Sequence, residues 1–257
     1  MKPLAPALFG LALWAIPVIT SAQEPLIAAA SVLKFALDDI ATTYEAQTGQ
    51  ALRIAYGSTG NFSAQIREGA PFDLFLAADE AFILGLAEDG LTRDDGVIYA
   101  SGRLAMLTPK NGSLAASVDL STLAAALQRG ELGRFAIASP VHAPYGMRAQ
   151  EALEHQGLWV DIQDHLVFGE NVSQATQFAI SGNTDGGIVA YALALAPEVQ
   201  EQSDFALIPA DWHAPLHQRM ALLPDASAEA EAFYTYLQSD AARAVFVSYG
   251  FAVPEGE

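Results

Sequence analysis

Cysteine is missing from all 257 residues, which excludes disulfides, thiolate metal sites and cysteine nucleophiles. Basic residues are scarce. Only 12 Lys and Arg stand against 30 Asp and Glu, a formal charge of −18. No basic patch exists to neutralise phosphates, which argues against nucleic acid and anionic membrane surfaces as partners. Long hydrophobic runs are few as well. The one at residues 8–19 is shorter than the roughly 20 residues a membrane-spanning helix needs, and Pro17 breaks it. There is no nucleophile elbow, P-loop or dinucleotide fingerprint; Gly57-Ser58-Thr59-Gly60 has one glycine misplaced for the elbow. No internal repeat or low-complexity segment is present.

What is there begins with a leader. Lys2 supplies a positive start, the 8–19 run an apolar centre, and Thr20-Ser21-Ala22 a small-residue cleavage site. Residues 1–22 read as a secretory signal peptide, so the mature chain is exported and more acidic still. The remainder is apolar enough for a sizeable core: 52% of residues are hydrophobic and 16% charged.

Along the mature chain, residues 26–30 form a short apolar run ending at Ser31. Val32, Leu33, Phe35, Ala36, Ile40 and Tyr44 then recur at helical spacing up to Gly49. A second strand is expected over 52–56, a short helix over 63–68, a third strand over 71–78 and a helix from 79 to about 90. From 98 to 109 the chain is extended. A helix follows at 120–128, a strand at 134–138, a helix at 147–156, a strand at 166–169, a helix from 171 to about 180, and a buried strand at 188–191. Alternation of this kind predicts an α/β fold of mostly parallel sheets with helices on both faces. Two series imply two lobes. Residues 23–101 together with 207–257 make a discontinuous first lobe, because helices at 228–238 and 241–249 need a core to cover; residues 102–206 make the second.

The chemistry centres on Tyr56-Gly57-Ser58-Thr59-Gly60-Asn61-Phe62, between the second strand and its helix. A helix start leaves N–H groups without internal partners, and here small hydroxyls surround them. Alone, this stretch reads most simply as a helix cap. Ser31, however, opens another helix at the same carboxyl end of the neighbouring strand, where ligands of α/β sheets collect. Two such starts can converge on one small anion. No Lys or Arg lies within 28–32, 56–64 or 169–175. Neutral donors select a fully deprotonated tetrahedral oxyanion over hydrogen phosphate, whose proton needs an acceptor. Other candidates fare worse. His213 and His217 have Pro215 between them, which removes the helix that would align both on a metal. His142, His155 and His165 read as surface or packing residues.

Several motifs together carry a family resemblance. Ala28-Ala29-Ala30-Ser31, the 56–62 stretch with Gln65-Ile66, the run from Gly69 to Asp79, Tyr145-Gly146, Asn171-Val172, Gly187-Ile188-Val189 and Tyr249-Gly250-Phe251 resemble the periplasmic molybdate-binding proteins of ABC transporters. The resemblance implies a type II-like periplasmic-binding-protein fold with the ligand in the cleft between lobes. It implies molybdate or tungstate as ligand, an ABC transporter permease as partner, a periplasmic and monomeric protein, and no catalysis and no cofactor. Ser31 and Ser58 or Thr59 would donate from the first lobe, and backbone N–H groups of Tyr145 and Val172 from the second, with no side chain ligating the metal directly. Asn61, Asn171 and Tyr191 are further candidates. Many relatives carry a tyrosine directly after Gly-Ile-Val, where this chain has Ala190 followed by Tyr191; on a strand, neighbours face opposite sides. The alternatives are a sulfate or other small-solute receptor, or a secreted enzyme that holds a substrate phosphate at the same site.

Overall fold

The computed structural model describes residues 24–254. In chain order the elements are β1 (Leu26–Ala30), a 3-10 turn (Ser31–Leu33) running into α1 (Lys34–Thr48), β2 (Arg53–Gly57), α2 (Thr59–Arg67), β3 (Leu74–Ala77), α3 (Glu80–Glu88), β4 (Val97–Gly102), β5 (Leu104–Pro109) and α4 (Ser121–Arg129). Then come β6 (Phe135–Ala138), α5 (Pro144–His155), α6 (Trp159–Ile162), β7 (Leu166–Gly169), α7 (Val172–Ile180), β8 (Gly186–Ala190), α8 (Tyr191–Ala194), α9 (Pro197–Gln200) and β9 (Ser203–Leu207). The chain closes with β10 (Leu216–Leu222), α10 (Ala228–Tyr236) and α11 (Asp240–Ser248). The predicted signal peptide lies outside the described residues.

The strands form two sheets, in the orders β2-β1-β3-β10-β4 and β7-β6-β8-β5-β9. In each, the first three strands run parallel and the last two pair antiparallel. β1 and β6 sit inside their sheets, and their alanine-rich sequences are buried. Small side chains let helices lie close over these strands. The result is the two-lobe α/β fold of periplasmic binding proteins, each lobe one mixed sheet flanked by helices.

Several expected elements move. The extended run at 98–109 is two strands, not one. β4 ends at Gly102 in the first sheet, and β5 starts at Leu104 in the second, so the chain changes sheets at Arg103. Nothing in its apolar patterning marks that switch. Helix α2 begins at Thr59, four residues before the expected Ser63, because the turn residues themselves wind into the first turn. Helix α5 likewise starts early, with Pro144 at its first position, where the missing N–H costs nothing. Tyr191 is the first residue of α8, not the end of a strand, so strand alternation does not govern where its side chain points. Residues 216–222 form β10 between β3 and β4. The C-terminal helices pack on the first sheet's helices and strands: Phe233 meets Tyr44 edge to face at 5.0 Å, and Phe246 lies 5.5 Å from Tyr99.

Candidate functional site

Helix starts converge where the two sheets face each other. One small cavity is lined by Ser31, Thr59, Tyr145 and Val172, with neighbours that include Ser58 and Asn171. It leaves about 10 Å³ for the centre of a water-sized sphere, room for a ligand of few atoms. Ser31 opens the turn that continues into α1, Thr59 opens α2, Tyr145 is the second residue of α5 after Pro144, and Val172 opens α7. Their N–H groups have no helical carbonyl to bond, and no loop carbonyl takes those of Thr59, Tyr145 or Val172 among the described residues. Each helix start carries roughly half a positive charge, so four together offer about two, the size of a dianion's charge. No Lys or Arg is in the lining. A roomier hollow of about 480 Å³ beside Phe72 and Leu223 has no such convergence. Its Asp73 carboxylate is already occupied by the N–H groups of Leu26 and Ser227.

The hydroxyls divide by role. Ser58 stands at the N-cap position of α2 but makes no capping bond. Its hydroxyl instead donates across the cleft to the His142 carbonyl, and its oxygen lies 3.1 Å from His142 Nδ1. Thr59 Oγ1 accepts from Ala78 N–H at 3.0 Å, which leaves its own proton free to donate. Ser31 Oγ accepts from Ser173 N–H at 3.3 Å and keeps its proton likewise.

The secondary candidates go elsewhere. Asn171 lines the cavity, but its side chain caps α7 by accepting from Gln174 N–H at 3.0 Å. Asn61 reaches Glu170 across the cleft at 3.1 Å. Tyr191 lies outside the lining, packed on Phe205 at 5.6 Å and under the Arg103 guanidinium. Ala190, not a tyrosine, ends β8 and is fully buried.

Tyr145 is the one titratable side chain in the lining. Burial pushes its phenol well above the usual tyrosine range, so it stays protonated. Its hydroxyl accepts from Gln218 Nε2 at 2.9 Å, and the Gln218 carbonyl accepts from Tyr99 at 2.9 Å.

The two lobes are closed on each other. Gly60 N–H donates to the His142 carbonyl at 2.9 Å. Gly60 has to be glycine there, because a Cβ would fall 2.6 Å from that carbonyl oxygen. Ser173 Oγ donates to the Ser31 carbonyl at 2.8 Å. Arg148 on α5 bonds Asp79 at 2.6 Å and Glu151 at 2.5 Å. Glu151 in turn accepts from Ala214 N–H at 2.7 Å.

His142 was expected at the surface or in packing; it forms part of this closure. Nothing local in the sequence points to Arg148, Ser173 or Gln218, for their partners lie 69, 142 and 73 residues away along the chain. His213 and His217 do not meet. The first bonds the Ala214 carbonyl and the second Ser101.

Comparison with known proteins now decides the family. The family of bacterial extracellular solute-binding proteins matches residues 25–252. The chain belongs to it. The molybdate-binding protein ModA of Azotobacter vinelandii is 31% identical over 235 residues, spanning 90% of this chain and 91% of that protein. The solved structure of the periplasmic molybdate-binding protein of A. vinelandii aligns with a TM-score of 0.82 at 27% identity, covering 90% of this chain and all of that one. The sulfate-binding protein SubI of Mycobacterium tuberculosis shares the solute-binding fold, with a TM-score of 0.72 at 16% identity over 91% of this chain and 88% of that one.

Proposed function

We propose that the protein is an exported, monomeric receptor of an ABC importer, and that its cleft captures molybdate or tungstate. One observation carries this reading: four helix starts converge on a cavity of a few atoms' size that no Lys or Arg lines. Such a site holds a dianion with donors alone. It disfavours hydrogen phosphate, whose proton would meet another donor. Identity of 31% to a molybdate-binding protein over 90% of the chain supports the ligand class.

The lobes would be residues 23–101 with 207–257, and residues 102–206. The crossings at Arg103 and between β9 and β10 support a division near these points, although Gly102 ends a strand of the first sheet and Leu207 one of the second. Residues 1–22 would direct export to the periplasm. The ligand is cargo, so no cofactor is required. Ser58 has the His142 imidazole beside it, but its proton goes to the His142 carbonyl and not to the ring, which supports binding over catalysis.

Within the site, Ser31 donates its hydroxyl, Thr59 its hydroxyl and N–H, and Tyr145 and Val172 their N–H groups. Thr59 is the closer ligand of the Ser58–Thr59 pair, since the Ser58 proton goes to His142. The Tyr145 phenol stands in for the hydroxyl that Ala190 lacks. Asn61, Asn171 and Tyr191 serve closure, helix capping and packing. Closure desolvates the anion and strengthens each of these bonds.

Calorimetric titration with molybdate, tungstate, sulfate and phosphate tests the reading. Tight binding of the two metal oxyanions and none of phosphate is expected. Silence with both metal oxyanions overturns it, and a preference for sulfate reassigns the receptor to that anion.

A further inference from the structure

A chain of buried polar groups runs from the cavity to the strands at which the chain changes sheets. Gln218 is fully buried on β10, opposite Ala100 of β4 and next to an irregularity in the pairing at Gln218/Arg219. Its amide is bonded at both ends. The carbonyl accepts from the Tyr99 phenol at 2.9 Å, and the NH₂ donates to the Tyr145 oxygen at 2.9 Å. The Tyr99 hydroxyl also lies 3.2 Å from the Ala77 carbonyl. The Tyr145 hydroxyl donates to no acceptor among the described residues, although Tyr145 lines the cavity and is almost wholly buried. Gly102, the last residue of β4, makes room for this contact: a Cβ there would fall 2.0 Å from the Tyr145 oxygen and 2.8 Å from Gln218 Nε2.

The direction of these bonds matters. An amide N–H donated to a hydroxyl oxygen fills one of its lone pairs and polarises its own O–H. The phenol proton is then turned away from Gln218. Tyr145 belongs to the second sheet's helix α5, whereas Gln218 and Tyr99 belong to the first sheet. The bond therefore joins the two halves in the closed form.

We propose that Gln218 is a positioning residue of the ligand site, which aims the Tyr145 hydroxyl proton at the bound anion and ties that contact to lobe closure. This rests on the reading of the cavity as an oxyanion site. It adds a residue that touches no ligand.

The test is molybdate calorimetry on the full mature chain, with the ligand-free melting temperature measured for each variant. Tyr145→Phe should weaken binding about tenfold, the loss of one charge-assisted hydrogen bond. Gln218→Leu should weaken it by a smaller factor. In the Tyr145→Phe background, Gln218→Leu should add nothing further. Gln218→Glu is the sharper probe. Its carboxylate accepts where the amide donated, so it draws the Tyr145 proton away from the anion. Binding should fall below that of Gln218→Leu at neutral pH. It should recover as pH falls, because burial raises the introduced carboxyl's pKa and its protonated form can donate again. Equal losses from Gln218→Leu with and without Tyr145, or a pH-independent effect of Gln218→Glu, would overturn the inference. A wild-type protein silent to molybdate would instead sink the ligand assignment beneath it.

Discussion

The two sheets are built alike and equipped differently. In each, three parallel strands come first, and the helix starts that meet at the cavity follow the first two of them: Ser31 and Thr59 after β1 and β2, Tyr145 and Val172 after β6 and β7. The first half presents hydroxyls at these places. The second presents backbone N–H groups, with proline and asparagine setting the helix starts. In the proposed site the first half would thus add hydroxyls to its helix starts, and the second half would rely on helix geometry alone. Substitutions should expose that asymmetry.

The largest effect falls outside both donor sets. Arg148 and Asp79 join the halves through a pair whose side chains are 11% and 10% exposed. Opening the cleft to admit a ligand returns both charges to water, so the pair stabilises only the closed form. Arg148→Ala leaves Asp79 enclosed without its partner, which costs about 3–5 kcal/mol for a buried pair. The expected outcome is a large loss of molybdate affinity, carried by faster release in stopped-flow, with little change in ligand-free melting. An unaltered release rate would mean that the pair does not serve closure.

The donor asymmetry comes next. Val172 occupies the first position of α7, where proline is tolerated, and Asn171 before it already has the extended backbone that a following proline demands (φ −143°, ψ 173°). Val172→Pro therefore deletes the N–H while keeping the helix start, and should weaken binding by about 1.5–3 kcal/mol. Val172→Ala should leave affinity near wild type. On the first half the pattern reverses: Ser31→Ala and Thr59→Ala should each lose ~1–3 kcal/mol. Loss of affinity from Val172→Ala as large as from Val172→Pro would erase the distinction between the halves.

Gly60 probes how closely the halves must meet. Gly60→Ala places a Cβ 2.6 Å from the His142 carbonyl oxygen, a backbone atom with little freedom to retreat. Overpacking of this kind costs about 1–3 kcal/mol. Because the clash exists only across the closed cleft, small-angle scattering of the ligand-loaded protein should show a more open particle. A variant that closes as compactly as the wild type would show that the contact is dispensable.

The same division explains what could be read in the sequence. Helix starts with hydroxyls are local features: strand, small polar turn and helix follow one another within a few residues, so Ser31 and Ser58-Thr59 stand out. The absence of basic residues around them is equally local. Tyr145 and Val172 are proposed to act through N–H groups that every residue but proline carries, so only resemblance to a family singles them out. Closure is worse still. Ser58 and His142 are 84 residues apart, Ser31 and Ser173 are 142, and neither pair shares an element or a periodicity. The switch of sheets at Arg103 was hidden for a related reason, since two buried strands end to end have the apolar pattern of one long strand. Propensity sees neighbours along the chain, and the cleft is made of neighbours across it.

Ser58 offers the smallest and most discriminating effect. It sits beside Thr59 in the lining, yet its proton goes to His142 and the Thr59 proton is free. A neutral hydrogen bond made only on closure is worth about 0.5–1.5 kcal/mol, less than a bond to a charged ligand. Ser58→Ala should therefore weaken molybdate binding less than Thr59→Ala, and by a similar factor for tungstate, because it removes a closure contact and no ligand contact. If Ser58→Ala were the more damaging of the two, the roles would be exchanged, with the serine hydroxyl turning to the anion once ligand arrives. The first half would then donate through its cap residue, as the Asn171 position in the second half does not.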